Sequence, residues 1–234
     1  MDERRMLGII VVNYASAGLL AENLTATAAA VPDARIVVVD NRSTPEERAR
    51  VEALSVANGW RLVPMDDNAG FGGGVNAGAA VAFDELGVTD ILLLNPDARI
   101  DGRSVAALAA ATAEGPSVAS PRVEDVAGRV WFAGMDVYLG DGSMGGPRRR
   151  REHPDARRLP WLSGACLWFT HEAWDLTGGF DDAYFLYWED VDISVRAARA
   201  GARLLVVDDA LAVHDEGGTH RASAQRPEAK SELY

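Results

Sequence analysis

The sequence predicts an α/β protein built on a mostly parallel central sheet, and two observations carry that prediction. Short β-branched apolar runs recur from Leu7 to Leu94, each separated from the next by a stretch of helical character. Each run also ends in a polar cluster, and the next strand is reached through a helix, the connection that parallel neighbours require.

The first run, Met6 to Tyr14 (MLGIIVVNY), is nearly continuous in apolar residues, as expected of a strand covered on both faces. Ser16 can cap a helix reaching about Ala30. Arg35 to Asp40 (RIVVVD) reads as the second strand, Pro45 to Asn58 as the second helix and Trp60 to Met65 as the third strand. A glycine-rich turn, Asn68 to Gly74, leads into a helix at Val75 to Leu86, and Asp90 to Leu94 (DILLL) is the fourth strand. A helix follows at Arg103 to Ala113, then short strands at Ser117 to Ser120, Arg129 to Phe132 and Asp136 to Leu139. Gly140 to Arg158 is rich in Gly, Pro and Arg, lacks periodicity and reads as a loop. Trp161 to Thr170 reads as a strand, His171 to Thr177 and Glu189 to Ala200 as helices, and Arg203 to Val207 as the last strand. Gly217 to Tyr234 has almost no apolar residues and is expected to be irregular.

Composition narrows the classes. The chain has 234 residues, 48% of them hydrophobic, enough for a sizeable core in one domain. No run approaches the ~20 apolar residues of a membrane span, and the short run Leu7 to Val12 reads as a strand rather than a secretory signal. The lone cysteine, Cys166, excludes an intrachain disulfide, and a cytoplasmic protein is expected. A net charge of -12 argues against nucleic acid as a partner. Arg148 to Arg151 defy that average and point to a phosphorylated acceptor or to peripheral contact with an anionic membrane surface.

Ligands of open α/β sheets gather outside the carboxyl ends of the strands. Asn13-Tyr14, Asp40-Asn41-Arg42-Ser43 and Asn95-Pro96-Asp97 lie there. Asp40 can accept hydrogen bonds from a nucleobase or ribose, and Asp97 can face a divalent cation. The turn Asn68-Ala69-Gly70-Phe71-Gly72-Gly73-Gly74-Val75-Asn76 can bring backbone amides to phosphate. It is no dinucleotide fingerprint, because Val75 occupies the place of the last glycine, and no P-loop is present. The segment Gly179 to Asp192 (GFDDAYFLYWEDVD) sets aromatics against carboxylates, a pairing suited to a sugar: flat faces stack on a pyranose while a carboxylate takes a hydroxyl proton.

The motifs VVNY, VVVDNRS, NAGFGGGVNAG, LLLNPDARI, WLSGACL, GGFDDAYFLYWEDVDISVRAARAG and LAVHDEGG occur in that order. With them the chain resembles the family-2 inverting glycosyltransferases of the GT-A fold, especially rhamnosyl- and galactofuranosyltransferase-like members. The resemblance covers about Leu7 to His220. It implies a Rossmann-like nucleotide-sugar-binding domain over residues 1–220, with a donor half at 6–100, an acceptor and catalytic half at 101–220, and a flexible polar tail at 221–234. It implies that Asn13, Asp40 and Asn68 hold a nucleotide-sugar donor, helped by Gly70, Phe71, Gly72, Asn76 and Asp97. Asp97 stands where the family's metal-binding D-x-D ends, and His214 looks like the second ligand of Mg2+ or Mn2+. Asp190 matches the catalytic base, and Glu189 orients the site beside it. Trp161, Tyr187 and Trp188 are candidates to shape the pocket of a glycan, glycolipid or small-molecule acceptor. Asp190 also falls at a helix start, whose dipole favours the ionised carboxylate. The leading donor is dTDP-rhamnose. A nucleotidyltransferase, which would release pyrophosphate, and a non-catalytic nucleotide-sugar-binding module are the rival functions.

Overall fold

The computed structural model describes residues 5–215, so the polar tail expected at 221–234 lies outside the described residues. The first strand, β1 (Leu7–Asn13), is buried at every position after Leu7, which requires cover on both faces of the sheet. α1 (Ala17–Leu19) runs through a π-helical stretch, Leu20–Leu24, into α2 (Thr25–Ala30). β2 (Arg35–Asp40), α3 (Pro45–Asn58) and β3 (Arg61–Pro64) follow as the sequence predicts. The punctuation of α3 explains its clean ends. Thr44 accepts a hydrogen bond from the Glu47 amide at 3.3 Å, Pro45 occupies the first turn, and Gly59 closes the helix in the left-handed region.

The glycine-rich segment departs from its expected form. It is not a turn to Gly74 but already helix, α4 (Gly70–Ala80), prolonged by a π-helical stretch at Val81–Glu85. Each glycine inside a helix costs about 1 kcal/mol relative to alanine. Close packing offsets that cost. A Cβ at Gly74 would come within 2.7 Å of Val12, and one at Gly78 within 2.7 Å of Ile10. The bare face therefore lets α4 lie directly on β1 and β2.

After β4 (Asp90–Leu94) comes a strand the sequence does not announce, β5 (Ala98–Ile100), and then α5 (Gly102–Ala111). The Asp101 carboxylate caps α5, and its bond from the Ser104 amide at 2.7 Å holds its pKa below the usual carboxylate value. The remaining elements are β6 (Ser117–Glu124), β7 (Val130–Phe132), β8 (Met135–Tyr138), β9 (Met144–Gly145), α6 (Pro147–Glu152), β10 (Arg158–Trp161), β11 (Cys166–Thr170), α7 (His171–Thr177), α8 (Glu189–Arg199) and β12 (Arg203–His214).

The large sheet has the order β3-β2-β1-β4-β11-β6-β12-β5, with β7 beside β6. It is mostly parallel, through β3, β2, β1 and β4 and again in the long β6–β12 ladder; β11 enters antiparallel between β4 and β6, and β5 antiparallel on β12. The single strand expected at Trp161 to Thr170 is divided. Trp161 pairs with Met135 in a small sheet, β10-β8-β9, while Cys166 pairs with Leu94 in the large one. The chain between them, Leu162 to Ala165, crosses from one sheet to the other beside the strand ends.

The basic segment is ordered by internal pairing rather than being an irregular loop. The buried Asp136 carboxylate binds Arg150, with one contact at 3.1 Å, and also lies 3.5 Å from Arg158. Arg149 stacks over the Tyr138 ring at 4.2 Å and pairs with Asp141 at 2.9 Å, while Arg148 pairs with Glu152 at 2.8 Å. Arg150 and Arg149 thus bind α6 to β8. Among the described residues no helix is long and apolar enough to cross a membrane.

Candidate active site

The donor-side residues cluster at the carboxyl ends of β1 and β2. Asn13 and Asp40 are paired in register and fully buried. The Asn13 Oδ1 accepts from the Ser16 amide at 3.2 Å and its Nδ2 reaches Ser43 at 3.4 Å. Asp40 accepts from Arg48 Nε at 2.6 Å through one oxygen; its other oxygen, Oδ1, is buried without a hydrogen-bond partner among the described residues. Such an acceptor is costly unless something donates to it. Asn68 accepts from the Asn41 side chain at 2.8 Å and from the Gly70 amide at 3.1 Å. Asn41 is the organiser here, since its Oδ1 also accepts from the Ala69 amide at 3.0 Å and its amide donates to the Gly70 carbonyl at 2.9 Å.

Gly70, Phe71, Gly72 and Asn76 join this end of the sheet to the carboxylate segment. Gly70 takes a left-handed φ of 74°, and a Cβ there would collide with the Phe185 carbonyl oxygen, which accepts from the Phe71 amide at 3.1 Å. Gly72 lies against Phe180, where a Cβ would approach to 2.9 Å. The Asn76 side chain brackets the Phe180 backbone, giving to its carbonyl and taking from its amide, both at 2.9 Å. The side chain of Asn76 is therefore spent on holding the chain that leads to Asp190.

That chain arrives strained. Tyr187 and Trp188 adopt successive left-handed φ values of 67° and 70°, conformations that cost non-glycine residues of order 1–3 kcal/mol each. Phe185, Leu186, Tyr187 and Trp188 are all exposed. α8 then begins with Glu189 and Asp190. The Asp190 Oδ2 accepts from the Gly164 amide at 3.1 Å, and Oδ1 from the Val191 amide at 2.8 Å. Burial raises its pKa above the ordinary aspartate value, and these two amides only partly oppose it. The helix-start dipole, expected to favour the ionised form, is outweighed by desolvation. Glu189 is more buried still; its Oε2 has no partner among the described residues, and burial pushes its carboxyl up to about 7, with the Asp190 charge adding to the effect.

Asp97 and His214 come together as the sequence reading expects. β12 pairs with β5 so that His214 stands opposite Ala98, and His214 Nε2 lies 3.0 Å from Asp97 Oδ1, both side chains buried. Nδ1 of His214 is buried and unpartnered among the described residues. Asp97 and His214 are within hydrogen-bond distance of each other, and a carboxylate oxygen and an imidazole nitrogen are also donors that a divalent cation such as Mg2+ or Mn2+ accepts. Among the described residues no group of three or more His, Cys, Asp or Glu side chains is assembled, so a cation held by this pair would need further ligands from a substrate's phosphates and water. Asp190 and this pair are structurally tied. The Gly164 amide binds Asp190, and the adjoining Ala165 carbonyl accepts from the Asn95 amide at 3.0 Å, at the head of Asn95-Pro96-Asp97.

Trp161 is half-buried and packs 5.4 Å from Phe132. Gly164, Asn41, Arg48 and Trp131 were not singled out from the sequence as site residues. Gly164 and Asn41 sit inside recognised motifs, so a signal for them existed. Arg48 and Trp131 carry none, because only tertiary structure sets Arg48 against Asp40 and Trp131 against His214.

Carboxylates at a parallel sheet's strand ends, a buried Asp–His pair and an aromatic-flanked carboxylate thus gather along one side of the sheet. The model of glycosyl transferase family 2 matches residues 8–174, and the chain belongs to that family. Its general reaction is transfer of a sugar from a nucleotide-linked donor. The chain is 29% identical to the N-acetylglucosaminyl-diphospho-decaprenol L-rhamnosyltransferase of Mycobacterium tuberculosis, over 89% of this chain and 76% of the relative. It is 24% identical to a low-salt glycan biosynthesis hexosyltransferase of Haloferax volcanii, over 90% of this chain and 67% of that one. Among solved structures it resembles S. aureus TarS, with a TM-score of 0.65 and 19% identity over 94% of this chain and 38% of that one. It also resembles a mannosyltransferase from Pyrobaculum calidifontis in complex with GDP-Man and Mn2+, with a TM-score of 0.65 and 17% identity over 91% of this chain and 57% of that one. These neighbours share the GT-A fold; the chain spans only part of their length.

Proposed function

We propose that the protein transfers L-rhamnose from dTDP-rhamnose, with inversion, to a hydroxyl of a glycan or glycolipid acceptor, assisted by Mg2+ or Mn2+. The observation that carries this reading is the link through Gly164 and Ala165, which ties a buried carboxylate at a helix start to the turn bearing Asp97 and, through it, to His214. Inverting transfer needs that arrangement, because one end of the displacement must accept a proton while the other receives a departing anion. The rhamnosyltransferase relative supports the sugar, and its name, which carries a diphospho-decaprenol, supports a lipid-linked acceptor.

In this reading Asp190 takes the proton of the acceptor hydroxyl as its oxygen attacks the anomeric carbon. The bond from that carbon to the diphosphate oxygen breaks, and the electron pair leaves with the nucleoside diphosphate. The raised pKa of Asp190 suits a group that must keep the proton. Glu189 shapes the field around it. Asn13, Asp40 and Asn68 hold the nucleoside end, where the unpartnered Asp40 Oδ1 awaits an N–H or O–H donor. Gly70, Phe71, Gly72 and Asn76 serve the donor side by docking the segment Phe180 to Trp188 beside it. Asp97 and His214 would hold the cation, which neutralises charge on the leaving diphosphate when bound. Trp161, Tyr187 and Trp188 flank the acceptor. Arg151 and Arg157, exposed beyond the internally paired arginines, are available to an acceptor's phosphates or an anionic surface.

The test is a panel of dTDP-rhamnose, UDP-glucose, UDP-N-acetylglucosamine and GDP-mannose, each offered with Mg2+ and octyl glycosides as acceptors. The expected result is a rhamnosylated product of inverted anomeric configuration from dTDP-rhamnose. Faster transfer from any other donor overturns the assignment of rhamnose, and release of pyrophosphate overturns glycosyl transfer.

A further inference from the structure

We propose that Trp131 determines acceptor specificity by stacking on the ring of an acceptor sugar, which makes the acceptor a glycoside rather than a simple alcohol; the proposal rests on the glycosyltransfer reading above. β7 is a short strand at the margin of the sheet, held by Val123 opposite Phe132. Alternation along it turns Phe132 inward, at 3% exposed, and Trp131 outward, at 37%. Trp131 is nonetheless fixed at the site. Its ring meets the His214 imidazole edge to face, with centroids 4.8 Å apart.

From there an aromatic row leads toward the base. Trp131 adjoins Phe132 at 6.3 Å, and Phe132 packs on Trp161 at 5.4 Å. The residue after Trp161, Leu162, donates its amide to Ser194 Oγ at 3.1 Å, and Ser194 in turn donates to the Asp190 carbonyl at 2.7 Å. Trp131 thus heads a row of contacts that ends beside Asp190, the group that takes the acceptor's proton in the reading above. Asn13 and Asp40, expected at the nucleoside end, lie on β1 and β2, whereas β7 pairs with β6 along the edge that β6 shares with β11. An indole fixed by His214 and Phe132 yet more than a third exposed is a rigid stacking surface, and sugar C–H groups complement an electron-rich aromatic face.

The experiment compares the wild-type chain with Trp131→Ala and Trp131→Phe, using dTDP-rhamnose as donor and octyl glucoside, galactoside and N-acetylglucosaminide as acceptors. Calorimetry with dTDP reports donor-side binding, and donor hydrolysis without acceptor reports the chemistry. Trp131→Ala should raise the acceptor KM about 10-fold, the size expected of one lost aromatic stack. It should change dTDP affinity by much less than it raises the acceptor KM, and Trp131→Phe should recover most of the acceptor affinity. An unchanged acceptor KM, or a loss of dTDP affinity in step with it, overturns the role of Trp131. A wild-type chain that neither transfers nor hydrolyses any nucleotide sugar overturns the glycosyltransfer reading itself.

Discussion

Asp190 and Glu189 are neighbours with different hydrogen bonding, and that difference sets what each can do. Two amides grip the Asp190 carboxylate at 3.1 and 2.8 Å, so its orientation is fixed while burial raises its proton affinity. Asp190→Asn keeps the shape but cannot accept a proton; transfer should fall about 10²- to 10⁴-fold with donor affinity retained, measured by initial rates and calorimetry. Glu189→Gln should cost less activity and change stability instead. Glu189 titrates near 4.5 when unfolded and at about 7 when folded, so the folded chain holds a proton that the unfolded chain has lost. The stability that Glu189 contributes is fully present below about pH 4.5 and is lost as pH rises through about 7. Glu189→Gln removes that decline. Thermal melts at about pH 5 and pH 8 should show the variant gaining on wild type at the higher pH, and an equal offset at both would refute the burial of an ionisable Glu189.

At the scale of elements, α4 and the Phe180–Trp188 segment act as one unit. α4 lies on β1 and β2 by its glycines and receives the Phe185 carbonyl at its first turn, while Asn76 grips Phe180 one turn further along. The left-handed pair Tyr187-Trp188 is held by this docking and by the start of α8. Gly70→Ala should therefore do more than remove flexibility. Its Cβ would displace the Phe185 carbonyl and meet a φ of 74°, a loss of about 1–3 kcal/mol. Denaturant unfolding should register it, and hydrogen exchange at the Phe71 amide should accelerate. A native exchange rate there would mean that the segment is held without Gly70. The arginine run belongs to the same scale, because Arg149 and Arg150 are spent on Tyr138, Asp141 and Asp136 and only part of its charge is left for a ligand.

The whole molecule brings Asn13 and Asp40, the Asp97–His214 pair and Asp190, the proposed nucleoside end, leaving-group end and base, to one rim of the large sheet. β11 makes this possible. By entering antiparallel between β4 and β6 it brings Gly164 and Ala165 back to the end of β4, between Asp190 and Asn95. A site completed by cation and donor together predicts that neither alone suffices. Transfer should vanish in excess EDTA and return with Mg2+ or Mn2+, and Asp97→Ala should abolish the metal-dependent part of donor binding with the fold retained. Undiminished transfer in EDTA would remove the cation from the reaction.

The sequence by itself determined the alternation of strands and helices from Leu7 to Leu94, the polar ends of those strands, and the Glu189-Asp190 pair, since each is written in local pattern or motif. It could not show that Gly70 to Gly74 are helical, because the gain that offsets their poor propensity is contact with Val12, Phe180 and Phe185, which are distant in sequence. β5 is too short to carry a period, and the arginine run owes its order to Asp136 and Tyr138. Tertiary structure alone decided the proton affinities of Asp190 and Glu189, because desolvation depends on what surrounds a carboxylate, and a helix-end dipole read from sequence predicted the opposite direction. It alone set Trp131 beside His214, joining residues from two strands that no local pattern relates.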